Sequence, residues 1–155
     1  MQMQLVACTI AGAEYAFPIT AVREIIRDVR TQPIGSTDPT ALGVVDLRGQ
    51  VMPVHDLSLA LGEPALTTAD EAGGERGERR IVVTTIGDGA GAGVIGWLVD
   101  GVDEVFVVDE DAITDVDRAT SSVVRRIAHV EDGRLIPVLD IEQLRLGRQV
   151  EISAA

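Results

Sequence analysis

Residues 49–57 read Gly-Gln-Val-Met-Pro-Val-His-Asp-Leu, and residues 133–141 read Gly-Arg-Leu-Ile-Pro-Val-Leu-Asp-Ile. The two stretches share Gly, Pro, the Val after Pro, and Asp, and three further positions exchange one apolar residue for another. Upstream, residues 19–25 (ITAVREI) align with residues 99–105 (VDGVDEV) at nearly the same offset. Two matches in the same order and at one spacing indicate an internal repeat.

The repeated unit has a definite physical interpretation. Gly49 and Gly133 stand where a hairpin must turn. An apolar strand follows, and its proline fits a strand edge or end, where no ladder donor is needed. Asp56 and Asp140 come next, where each can cap a short helix. We therefore expect a hairpin, a strand and a capped helical turn in each copy.

The apolar pattern along the chain is mostly that of β-strands. Short apolar or alternating runs are separated by turn residues, as in an antiparallel barrel or sandwich. The runs are 5–10, 15–17, 42–47, 51–55, 81–86, 94–99, 102–108, 123–130 and 135–139. Helix is predicted only at 56–61 and 140–146, where an acidic cap precedes spaced leucines. The sequence predicts an all-β protein with short helices, including one near the C-terminus.

Residues 63–80 (EPALTTADEAGGERGERR) break this pattern. The segment is polar, contains Gly73-Gly74 and has no apolar period, which predicts a linker or a long surface loop. It separates approximate halves at 1–62 and 81–150. A core of about seventy residues supplies only ~3–5 kcal/mol. We therefore expect the halves to pack together as a single domain spanning residues 1–155.

Composition excludes several functional classes. The chain has 13 basic and 25 acidic residues, a formal net charge of −12, and few aromatic residues, which argues against nucleic-acid binding. All basic residues are arginine, so Schiff-base lysine chemistry is excluded. One cysteine, Cys8, excludes an intrachain disulfide and a Cys-rich zinc site, and fits a buried strand position. No apolar run reaches ~18 residues and no signal peptide is evident, which favours a cytoplasmic protein without membrane insertion.

The motifs resemble those of the CheW-like family of chemotaxis coupling domains. Residues 42–57 (LGVVDLRGQVMPVHDL) are similar to the family signature G-V-x-N-L-R-G-x-x-x-P-V-x-D-L. Supporting stretches agree in order and spacing: EYAFPI at 14–19 with VREI at 22–25, VDGV at 99–102, and RLIPVLDIEQL at 134–144. Asp46 stands where asparagine is usual, and His55 stands where an aliphatic residue is common.

The resemblance implies two SH3-like five-stranded barrels packed with pseudo-symmetry, which agrees with the repeat. It also implies a non-catalytic adaptor in chemotaxis signal transduction. Such a protein would couple the cytoplasmic tips of methyl-accepting chemoreceptors to the regulatory domain of a CheA-type histidine kinase. It would be cytoplasmic, recruited to membrane-associated receptor arrays, and would need neither cofactor nor metal.

Arg48 is the first candidate for partner binding. It follows an apolar strand at a hairpin tip, where its stem can lie on apolar surface and leave the guanidinium free. The resemblance places it on the receptor-facing surface, held by Glu24. The alternative is an ordinary turn arginine, or an exposed ion pair with Glu24 or Asp46 that contributes little.

A groove between the barrels is the second candidate site. Its predicted walls are Gly43, Val44, Val99, Gly101 and Val102. An apolar stripe of a receptor helix could lie in such a groove. In the alternative interpretation the valines are core residues and the glycines only set the backbone shape.

Two other functions remain as alternatives. The chain could be the regulatory domain of a histidine kinase, which is itself CheW-like. It could also be a small-ligand or nucleotide-binding β-barrel module that uses the glycine-rich loop 87–96, since residues 91–96 (GAGVIG) match G-x-G-x-x-G. That motif must open a helix, whereas residues 94–99 have the pattern of a strand.

Catalysis and metal binding have no support in the sequence. His55 and Asp56 are adjacent, and neighbouring strand residues point to opposite faces, which argues against a dyad. No G-x-S-x-G elbow is present. The acidic residues 109–117 lack the glycine and the final glutamate of a calcium loop. We therefore predict no catalytic residue and no metal site.

Overall fold

The computed structural model describes residues 1–63, 78–86 and 93–145, and these residues form two β-sheets. In chain order the strands are β1 (Gln2–Ile10), β2 (Ala13–Pro18), β3 (Val22–Arg27), β4 (Ala41–Leu47), β5 (Gln50–Asp56), β6 (Arg80–Ile86), β7 (Gly93–Val99), β8 (Gly101–Asp109), β9 (Ile113–Asp115), β10 (Val124–His129) and β11 (Leu135–Leu139). Helical structure in these residues includes α1 (Leu57–Ala60), 3-10 turns at Ile19–Ala21 and Glu110–Ala112, and residues 141–145. The all-β prediction is confirmed.

The two sheets have related strand orders. One has five strands in the order β3-β6-β7-β5-β4, and the other has six in the order β8-β1-β2-β11-β10-β9. Neighbouring strands are antiparallel except for β5–β7 and β2–β11, which are parallel. Both sheets are open in the described residues. The sixth strand of the larger sheet is the three-residue β9, where five strands had been expected.

The strand pairing crosses the predicted halves 1–62 and 81–150. The five-stranded sheet runs continuously from β3 to β7, whereas the six-stranded sheet combines β1 and β2 with β8 to β11. Each half therefore contributes its first hairpin to the sheet that contains the rest of the other half. A half of about seventy residues buries too little apolar surface by itself, and the exchange makes each core depend on both halves.

The internal repeat reappears in the geometry of the strands. The two turn glycines both have positive φ, +88° at Gly49 and +83° at Gly133. The residue after each proline, Val54 or Val138, pairs with a parallel strand, β7 in one sheet and β2 in the other. The β4–β5 hairpin is therefore the counterpart of the β10–β11 hairpin.

The helical pieces begin at the predicted aspartates. Asp56 accepts a hydrogen bond from the N–H of Leu59 at 3.3 Å, and Asp140 accepts one from the N–H of Gln143 at 3.1 Å. Each carboxylate satisfies an N–H that the first helical turn leaves without a backbone partner. The predicted caps are confirmed.

Buried apolar residues form three clusters, one in each sheet and one between them. The cluster between the sheets, called the shared core below, consists of Val6, Cys8, Ile10, Phe17, Leu57, Val82, Ile95, Trp97, Val99, Leu139, Ile141 and Leu144. Full burial of a large apolar side chain contributes roughly 1.5–3 kcal/mol, so this cluster joins the two sheets strongly. Trp97 also donates its indole N–H to Thr84 Oγ1 at 3.1 Å, which leaves no buried donor unpaired there.

A backbone bridge connects the chain after β3 to the outer strand β4. The N–H of Gln32 donates to the carbonyl of Val44 at 2.8 Å, and the N–H of Val44 donates back at 2.9 Å. Gly43 lies against this bridge with a φ of +139°, and a Cβ there would be 2.3 Å from the Gln32 carbonyl oxygen. Gly43 is therefore a position where the backbone itself requires glycine.

The glycine-rich segment is only partly described. Residues 87–92 lie outside the described residues, as do residues 64–77 of the predicted linker. Gly93 and Gly96 belong to β7, where the dinucleotide motif would need a helix. A Cβ at Gly96 would be 2.7 Å from Ile81 Cγ2, so strand packing accounts for this glycine.

Gly43→Ala is expected to destabilise the protein by roughly 2–4 kcal/mol, because the new Cβ meets fixed backbone and the positive φ becomes strained. Gly101→Ala is the matched control, since its Cβ would lie 3.7 Å from the nearest atom, the Glu78 carbonyl oxygen. The control should change stability by less than about 0.5 kcal/mol. Urea unfolding measures the free energy of unfolding of both variants. Equal values would contradict the close approach of the Gln32 carbonyl to Gly43.

Candidate functional site

Arg48 occupies the two-residue turn between β4 and β5. Its φ is +50° and that of Gly49 is +88°, the pair of positive values that defines a type I′ turn. Asparagine or glycine usually occupies the first of these positions, because a left-handed backbone is disfavoured for other residues. The N–H of Gly49 donates to Asp46 Oδ1 at 2.7 Å. Aspartate thus supplies the acceptor that asparagine would supply at position 46, and the turn is retained.

The guanidinium of Arg48 forms a two-pronged ion pair with Glu24 of β3. Nη1 donates to Oε1 at 3.1 Å, and Nη2 donates to Oε2. Since β3 and β4 are the outer strands of the five-stranded sheet, the pair spans its two edges. The Arg48 side chain remains 65% exposed and that of Glu24 is 26% exposed. The ion pair therefore orients a cation that solvent and partners can still reach.

The ion pair shifts the titration of both groups. The hydrogen bond from Arg48 holds the pKa of the Glu24 carboxyl below its ordinary value, and the charges of Arg48 and Arg23 act in the same direction. The hydrogen bond and charge of Glu24 raise the pKa of Arg48. Glu24 thus stays ionised to more acidic pH than an isolated glutamate.

Gly43 and Val44 lie on β4, which leads into the Arg48 turn. Gly43 is buried against Gln32, and Val44 is half-buried with its backbone bonded to the same residue. Four of the predicted residues, Arg48, Glu24, Gly43 and Val44, therefore belong to one region of the five-stranded sheet. Gly43 shapes this region through its backbone.

The remaining predicted residues lie near the junction of the sheets. Val99 ends β7 and is fully buried in the shared core, so the expectation that it lines a groove is corrected. Packing of both sheets against one core places its side chain inside. Gly101 and Val102 begin β8, and Val102 is half-buried at the border of that core.

Sequence reasoning missed two residues beside this border. Ile19 and Val22, before and at the start of β3, are half-buried and pack against the shared core, as Val102 does. The pairing of β3 with β6 shifts between Val22 and Glu24, so regular alternation along β3 does not extend across these two residues. That β3 and β8 both border one core follows from the strand exchange, which no local pattern encodes.

His55 and Asp56 have separate roles. The His55 ring lies 5.4 Å from that of Trp97, and its Nδ1 is 2.9 Å from Thr40 Oγ1. Asp38 Oδ2 is 3.6 Å from the same nitrogen. Asp56 caps α1 instead. The imidazole thus packs on an aromatic residue where an aliphatic one is common, with polar partners from the 38–40 segment.

The described residues lack the features of two other kinds of site. No three His, Cys, Asp or Glu residues are grouped there as metal ligands would be. Among the helices that the structure describes, none has the length and apolar character needed to cross a bilayer. The candidate site that remains is the turn at Arg48 with its ion pair to Glu24.

Similarity to known proteins identifies the family. The family model of the CheW-like domain matches residues 4–146, so the chain belongs to the CheW-like family. The chemotaxis protein CheW of Bacillus subtilis is 28% identical over 141 residues, covering 88% of this chain and 83% of the relative. A probable chemotaxis protein CheW of Rhizobium etli is 30% identical over 145 residues, covering 91% and 86%.

A solved structure supports the same assignment. The scaffolding protein TtCheW from Thermoanaerobacter tengcongensis superposes with a TM-score of 0.76 at 28% identity, and the match covers 90% of each chain. The resemblance inferred from the motifs is confirmed, and the two sheets agree with two SH3-like units. The family comprises scaffold and adaptor proteins of chemotaxis.

Arg48→Asn is expected to melt roughly 2–4 °C higher than Arg48→Ala, because only asparagine tolerates the left-handed backbone well. Both variants lose the ion pair with Glu24, so their difference isolates the strain at this position. Differential scanning calorimetry measures it. Equal melting temperatures would show that the turn relaxes without cost.

Arg48→Asn is also expected to raise the pKa of Glu24 toward its ordinary value, because the hydrogen bond and the charge of Arg48 that lower it are lost. The ion pair stabilises the wild-type protein above about pH 4.3, the ordinary glutamate pKa, and this contribution disappears as pH falls through the lowered value. The stability gap between the two proteins should therefore narrow on acidification. Carboxyl-carbon NMR titration measures the pKa, and identical values would contradict the ion pair in solution.

Proposed function

We propose that this chain is a non-catalytic adaptor that couples chemoreceptors to a CheA-type histidine kinase. The observation that carries the proposal is the state of Arg48. Its backbone adopts a conformation that asparagine or glycine would adopt more easily, yet its guanidinium is oriented by Glu24 and remains largely exposed. A side chain kept under these conditions is suited to a specific contact with a partner.

The chemistry of that contact follows from the free donors of Arg48. A guanidinium has five N–H donors, and Glu24 accepts one hydrogen bond from each of the two terminal nitrogens of Arg48. The remaining donors can bind a carboxylate or a backbone carbonyl of the cytoplasmic tip of a methyl-accepting chemoreceptor. Glu24 keeps the fork pointing in one direction, which reduces the entropy lost on binding.

The apolar part of the contact would lie at the border of the shared core. Gly101 and Val102 begin β8, Ile19 precedes β3 and Val22 begins it, and together they offer half-buried surface for one apolar stripe of a receptor helix. Val44 and Gly43 shape the neighbouring strand that leads to Arg48.

The adaptor works by holding two partners in fixed relative geometry. The shared core joins the two sheets, so a receptor bound near Arg48 and a kinase regulatory domain paired with one SH3-like unit would move together. Signal would pass as a change in their relative orientation, without a covalent step in this chain. The protein would act in the cytoplasm, recruited to membrane-associated receptor arrays.

Arg48→Glu is expected to abolish receptor coupling while leaving the melting temperature nearly unchanged, because the side chain is exposed and charge reversal repels both Glu24 and the partner carboxylate. Arg118→Glu is the matched control, since it makes the same charge change at an exposed turn residue elsewhere. The assay is co-sedimentation of the protein with a receptor cytoplasmic fragment and a histidine kinase. Unaltered coupling in Arg48→Glu would remove Arg48 from the site, and no ternary complex with the wild-type protein would overturn the adaptor function.

A further inference from the structure

A cleft of about 620 Å3 lies where the two sheets meet, and no part of the proposed function uses it. Its walls include Thr20 in the turn before β3, Thr85 on β6, Arg125 and Arg126 on β10, and Arg145 in the C-terminal helical segment. Pockets for small molecules typically have volumes of roughly 300–1,000 Å3. These five residues are called the arginine cleft below.

A β-bulge brings two consecutive arginines into this cleft. The pairing of β10 with β11 shifts between Val124, opposite Leu139, and Arg126, opposite Val138. In a regular strand, adjacent side chains point to opposite faces, so Arg125 and Arg126 would separate. Bulges re-aim side chains and are common beside functional sites. The irregularity concentrates positive charge on one side of β10, in a chain whose net charge is −12.

The arginines of the cleft differ in how far their charges are neutralised. Arg125 Nη1 lies 3.7 Å from Asp140 Oδ2, and Arg145 Nη2 donates to Glu142 Oε2 at 2.7 Å. Within the described ranges, the Nε of Arg145 is buried without a hydrogen-bond partner. The nearby carboxylates therefore do not engage every N–H donor of Arg125 and Arg145.

Arg126 has no acidic partner within 4 Å among the described residues, although its side chain is half-buried. The other described arginines that form no ion pair are exposed: Arg23, Arg27, Arg30 and Arg118. Asp115 stands opposite Arg126 on β9 without forming an ion pair, so the guanidinium keeps N–H donors that an anion can bind. The arrangement at Arg126 is therefore that of an anion site.

We propose that the arginine cleft binds a small molecule that carries a phosphate or carboxylate group. Arg126 would bind the anion through its planar fork, and the hydroxyls of Thr20 and Thr85 also line the cleft. Asp140 and Glu142 also line the cleft, and Asp115 lines an adjoining recess. These carboxylates oppose a highly charged ligand, so the occupant carries one such anionic group.

The test measures the melting temperature with inorganic phosphate or succinate against sodium chloride at equal ionic strength. A ligand that binds only the folded state raises it, and we expect at least one of the two anions to do so. Phosphate alone would indicate a phosphate-bearing ligand, and succinate alone a carboxylate-bearing one. Arg126→Gln should weaken the binding roughly tenfold or more in calorimetric titration, because charge-assisted hydrogen bonds are lost. Arg118→Gln, an exposed arginine outside the cleft, should bind like the wild type.

An amide NMR titration of the wild-type protein locates the site without any variant. Shifts at Thr20, Thr85 and Arg126 would support the arginine cleft. Stabilisation no greater than that by chloride, shifts confined to other surfaces, or equal binding by Arg126→Gln and wild type would each overturn it. The result is independent of receptor coupling, which depends on Arg48.

Discussion

The structure depends on the apolar core that the two sheets share. Its side chains come from β1, β2, β6, β7, β11 and both helical segments. Each sheet therefore shields the apolar face of the other sheet from water. The exchanged hairpins strengthen this dependence, because each half of the chain supplies two strands to the sheet of the other. The two units therefore bury one core together.

The Arg48 turn shows how this frame holds the side chain at the centre of the proposed site. The turn lies between two strands of the five-stranded sheet, and the bond to Asp46 holds its shape. The ion pair with Glu24 then fixes the direction of the guanidinium across the edges of the sheet. The left-handed backbone at Arg48 lowers stability, and an exposed ion pair raises it only slightly. Their value lies in presenting one cation in a defined orientation on an acidic protein.

The candidate site was predictable where its residues act locally. The turn glycine indicates the hairpin that carries Arg48, whereas the pair with Glu24 was implied by the resemblance to the CheW-like family. Val99 was wrongly placed in a groove wall, because a valine that ends a strand has the same local pattern in a core or at a surface. The arginine cleft was not predicted at all. A one-residue bulge decides whether Arg125 and Arg126 diverge or converge, and pairing register is a property of two strands.

The sequence by itself determined the all-β class, the internal repeat, the turns at Gly49 and Gly133, and the caps at Asp56 and Asp140. The turns and caps follow from contacts between residues a few positions apart, whereas the all-β class follows from the apolar period and the repeat from the match between two stretches of sequence. Only the tertiary structure decided which hairpin joins which sheet and that β3 and β8 border one core. It also decided that the Gln32 carbonyl packs against Gly43, where a Cβ would not fit. These features depend on how apolar surfaces far apart in the chain are buried together, and the hydrophobic effect that drives this burial is non-directional and does not specify partners.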